Sequence, residues 1–130
     1  VTEVNEMLQG MERFGGLFIC TTNLFDELDE AALRRFTFKV KFRPLRAEQR
    51  ETMFVVEALN GEADKLTAEQ RDRLAALDQL APGDFAAVKR QVDVLGVGFE
   101  ADEFLAQLES EHRVKPGVRE RRGIGFSARP

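Results

Sequence analysis

Residues 16–42 read GLFICTTNLFDELDEAALRRFTFKVKF and set two apolar runs of different kinds around a short charged segment. Leu17-Phe18-Ile19-Cys20 is continuous and stops at the polar Thr21-Thr22-Asn23. The run is too short for a helix and does not alternate, which predicts a central parallel strand over Leu17 to Thr22, covered on both faces. Asp29 then offers an N-cap to a helix that closes at Arg34-Arg35, with acids at its start and bases at its end to match its dipole. From Phe36 to Phe42 the residues alternate strictly until Pro44 ends the run. One face of that segment is aromatic and aliphatic and the other is Thr and Lys, the pattern of an edge strand.

Outside this stretch the periodicity is helical. Val4, Met7, Leu8 and Met11 form one stripe, stopped by Gly15-Gly16. Arg46 to Leu59, with Met53, Phe54, Val56 and Leu59 on its apolar side, predicts a helix ended by Asn60-Gly61. Thr67-Ala68-Glu69-Gln70 has capping-box form and opens a second helix lined by Leu74, Leu77 and Leu80. Pro82-Gly83-Asp84 restarts the chain, and Phe85, Val88, Val92 and Leu95 recur at helical spacing up to Gly96. Phe104, Leu105 and Leu108 give a fourth helix, expected to end before Pro116-Gly117. The expected fold class is therefore α+β and mostly α: about two strands ending an α/β core, then a small four-helix bundle. Residues 1–43 are expected to form the first part, 44–116 the bundle and 117–130 a basic tail.

Composition narrows the class without naming a chemistry. A hydrophobic share of 43% with 32% charged residues is that of a soluble globular protein, and no apolar run reaches membrane-spanning length. With no signal-peptide pattern, a cytoplasmic protein is expected. Val1 is not an initiator residue, so a longer parent is expected too. Cys20 is the single cysteine, which excludes a disulfide framework within the chain and suits plain core. Residues 113–130 carry six Lys or Arg against Glu120 alone, while the rest carries 13 against 22 acids. Attraction of that tail to the acidic fourth helix is the simpler reading beside a nucleic-acid contact, with Ile124-Gly125-Phe126 docking on the bundle. His112 has no partner at metal-ligand spacing and reads as a surface helical residue.

These pieces together resemble the C-terminal part of an AAA+ ATPase module. Leu17 to Asn23 is similar to the core strand whose terminal polar residue is called sensor 1, and Leu28 to Phe36 resembles the segment carrying the arginine finger. Phe36 to Phe42 resembles the strand that follows, and the helices from Leu45 the lid. The resemblance implies that Asn23 orients the attacking water or touches the γ-phosphate; read alone, Thr21-Thr22-Asn23 is also a simple strand-end turn. It further implies that Arg34 or Arg35 enters a neighbouring subunit's site, Arg35 being favoured because it directly precedes Phe36. Fingers supplied in trans contribute on the order of 10³ to 10⁵ in turnover. Dipole complementation on a solvated helix end is the plainer account of the pair. Most relatives separate the two arginines by Pro-Gly, and here they are adjacent. Gly83-Asp84 corresponds to the lid turn that packs near adenine through backbone contacts; read alone, it is equally a plain N-cap. No arginine follows in that first turn, which leaves Lys89 as the candidate phosphate ligand in place of sensor 2.

The missing parts are as informative. A phosphate loop of the form G-x-x-x-x-G-K-S/T needs Gly-Lys, and no Gly here is followed by Lys. Asp26-Glu27, Asp29-Glu30 and Asp102-Glu103 lack the preceding apolar run of a magnesium-holding strand end, and no metal site is expected within the chain. The resemblance implies ATP and Mg²⁺ as cofactors of a full-length ATP hydrolase, with no nucleotide binding or turnover expected from this chain by itself. The implied partners are copies of the parent subunit in a ring and a macromolecular substrate, a protein rather than nucleic acid, with no membrane. A non-catalytic helical interaction module is the alternative. With the intervening core strand absent, the two strands are expected to pair with each other or with another copy.

Overall fold

The computed structural model describes residues 2–96 and 98–121, and the chain divides into two units, Val1–Lys41 and Phe42–Pro130. Among the described residues the fold is all-α, with seven helices and no strand. This overturns the α+β expectation. Residues 17–22 and 36–42 are irregular, without the ladder that pairing would make. The reason is that a strand is collective: its N–H and C=O groups need a neighbouring chain, and periodicity within one segment does not supply it. Cys20, expected in the core, is exposed for the same reason.

In the first unit, α1 (Thr2–Arg13) buries Leu8 but leaves Met7 41% exposed, so its apolar stripe is only partly used. A 3-10 turn at Phe25–Glu27 precedes α2 (Glu30–Leu33). Asp29 caps α2 as its position suggests, its Oδ1 accepting from Ala31 N at 3.1 Å. Ala32 is buried, and the Phe18 and Phe36 rings approach to 6.4 Å.

The second unit contains α3 (Ala47–Ala58), α4 (Ala68–Ala75), α5 (Pro82–Leu95), α6 (Ala101–Arg113) and α7 (Pro116–Arg121). Phe54, Leu74, Leu80, Phe85, Val88, Leu105 and Leu108 are essentially fully buried, joined by Leu59, Leu77 and Phe104. Phe104 lies at its centre, edge-on to Phe54 at 6.2 Å and tilted against Phe85 at 6.4 Å. Thr67 and Gln70 satisfy each other's backbone N–H groups at the start of α4, both at 3.1 Å. At the other end of α5, Gly96 adopts φ +66°, the left-handed cap that a residue without Cβ takes at low cost.

Three helical details differ from expectation. Leu77 and Leu80 are core residues but follow the end of α4, because the buried Arg50 takes up that helix's last carbonyls: Nε donates to Leu74 O at 2.9 Å and Nη2 to Ala75 O at 3.1 Å. Pro116 does not merely stop α6; it starts α7, where its missing N–H costs nothing. Val56, expected on the apolar side of α3, is 58% exposed. The tail segment with Arg122, Ile124, Phe126 and Arg129 lies outside the described residues.

Candidate functional site

Asn23 sits on an exposed bend between the apolar run and the 3-10 turn. The bend is stabilised next door, where Thr22 Oγ1 accepts from Leu24 N at 2.9 Å, so the Asn23 carboxamide is not what shapes it. Arg34 and Arg35 occupy the turn that closes α2. Arg34 pairs with Glu30 of its own helix at 2.8 Å, both side chains more than three-quarters exposed. Arg35 reaches instead to Glu12 of α1, Nη1 to Oε1 at 3.2 Å, with its side chain 35% exposed. The first unit thus gives the two adjacent arginines different carboxylates, one on the same helix and one on α1.

In the second unit, Pro82, Gly83 and Asp84 are the first turn of α5, and Gly83 is exposed with open space where a Cβ would stand. Asp84 Oδ2 accepts from Ala81 N at 2.7 Å, closing the helix start, and receives Lys115 Nζ at 2.7 Å. The carboxylate is therefore committed to the fold. Lys89 turns to α3, where its ammonium lies 2.8 Å from Glu57 Oε2. The Glu57 carboxylate, by accepting its hydrogen bond, raises the Lys89 pKa above the ordinary 10.5. The five-residue spacing of Asp84 and Lys89 puts them on different sides of α5. Gly83, Asp84 and Lys89 do not make a triphosphate cradle by themselves. Among the described residues no cluster of three or more His, Cys, Asp or Glu is arranged to hold a metal, and no helix is long and apolar enough to cross a membrane.

Several polar residues organise the helical unit in ways that the sequence did not suggest. Besides capping α4, Arg50 Nη1 donates to Leu45 O at 2.6 Å. Leu45 N in turn donates to Leu80 O at 2.8 Å, fastening the segment before α3 to the bundle. Arg73 forks onto both oxygens of Glu109 at 2.7 and 3.2 Å, with Asp102 at 3.7 Å, and the Glu109 hydrogen bond raises its pKa further. His112, expected at the surface, is 8% exposed. Its Nε2 accepts from Gln79 N at 3.2 Å, with Asp78 Oδ1 at 3.4 Å. The signals were spacings: Arg50 stands one turn before Phe54, and His112 one turn after Leu108, each continuing a buried stripe.

Compared with protein families, with curated proteins and with solved structures, the chain matches none of them.

Proposed function

We propose that the chain is the C-terminal portion of an AAA+ ATPase that couples ATP binding and hydrolysis to remodelling of a protein partner, with Asn23 as sensor 1, Arg35 as arginine finger and the helical unit as lid. The observation that supports this reading is the contrast between the units. The helical unit has a complete core, whereas in the first unit Leu17, Ile19, Phe38 and Val40 stand between 73% and 85% exposed on the segments that flank the Asn23 bend and the arginine turn. Burying side chains of this size is worth about 1.5–3 kcal/mol each, so a surface of this kind favours being covered. The rest of an ATPase core would cover it, supplying the phosphate loop and magnesium ligands that this sequence lacks.

Three observations test the proposal. The coding sequence upstream should carry G-x-x-x-x-G-K-S/T after an apolar run, and later an apolar run ending in Asp-Glu or Asp-Asp. In the intact ATPase, Arg35→Ala should abolish turnover and spare ATP binding. The chain alone should show no micromolar binding in a fluorescent-nucleotide titration. A helical interaction module is the second reading, favoured by Val94 and Leu95, 85% and 61% exposed on α5. Under it, Arg35→Ala leaves every activity unchanged.

A further inference from the structure

We propose that Glu12 is a positioning residue that docks the Arg35 guanidinium against α1 and gives it up when an anionic group of a neighbouring subunit competes for it. The proposal rests on the reading of Arg35 as a finger acting in trans. Arg34 and Arg35 are chemically identical neighbours, but their partners differ in kind. Arg34 meets Glu30 one turn back on its own helix, a local pair that constrains nothing beyond α2. Arg35 meets Glu12 of a separate helix, so the contact fixes where its long side chain lies, and that side chain is 35% exposed against 77% for Arg34. The contact is also made to be exchanged. It joins one nitrogen to one oxygen at 3.2 Å and Glu12 is 57% exposed, so it belongs among the weak surface pairs. Two phosphoryl oxygens facing the planar fork would outcompete it. Glu12 then holds the finger against α1 until a neighbour presents its nucleotide.

The test is steady-state ATP turnover of the intact ATPase against subunit concentration, for the wild type, Glu12→Gln, Glu12→Asp and Arg35→Ala. Removing the competing charge should lower the half-saturating subunit concentration by about two- to fivefold, the range open to an exposed ion pair, with KM for ATP unchanged. Glu12→Asp, which keeps the charge, should stay near the wild type. An unchanged or raised half-saturation point in Glu12→Gln overturns the proposal. Turnover that survives Arg35→Ala sinks the finger assignment itself, a separate failure. In the chain alone, the Arg35 side-chain Nε–H resonance should shift on Glu12→Gln, and a resonance that does not move means that no docking exists.

Discussion

At the scale of single residues, the most consequential side chain is Arg50. It is 5% exposed and spends its guanidinium on three carbonyl oxygens, two ending α4 and one at Leu45. Arg50→Leu would keep the apolar contacts of the stem but strand those acceptors, and a loss of about 3 kcal/mol in urea unfolding is expected. Arg50→Lys should recover little, because a single ammonium cannot span three separated oxygens. Lys89 makes a contrasting prediction. Its folded pKa is raised by Glu57, so the stability it contributes is fully present below 10.5 and is lost as pH rises through the folded value. The difference in urea midpoint between wild type and Lys89→Met should therefore shrink above pH 10.5 and stay flat from there down to neutral pH. A midpoint difference that grows with alkali would contradict the Glu57 contact.

At the scale of elements, legibility followed whether a signal was local. The ends of α3 and α5 were readable because Asn60-Gly61 and Gly96 act within a turn of the helix they close. The test of that reading is Gly96→Ala, which forces a Cβ into φ +66° and should cost about 1 kcal/mol in thermal unfolding. The end of α4 was not readable, since what stops it comes from Arg50 on another helix. The two expected strands failed for the same reason at larger range: the continuous apolar run at 17–20 and the alternating one at 36–42 each suit a strand, but neither is paired in a ladder. For the candidate site, the sequence placed Arg34 and Arg35 on one helix end, yet the carboxylate facing Arg35 comes from α1 and could not be read from spacing. For Gly83-Asp84 the sequence offered a helix-start reading beside the adenine turn, and Asp84, three residues after Ala81, does close the start of α5.

At the scale of the whole molecule, the two units should behave differently under stress. Trypsin is expected to cut first at Lys39 and Lys41, in exposed irregular chain, while Pro44 protects the bond after Arg43, and to leave a product beginning at Phe42 that mass spectrometry identifies. Early cleavage at Arg71 or Arg90 instead would mean that the helical core is not the stable part. The alternation at 38–42 carries one more consequence. Phe38, Val40 and Phe42 are 85%, 73% and 91% exposed, and Lys39 and Lys41 stand between them. Were molecules to stack through this ribbon in register, each layer would set ammonium against ammonium, so the lysines act as gatekeepers against fibrillar growth. Added sodium chloride screens that repulsion while strengthening apolar attraction, and turbidity should rise with salt rather than fall.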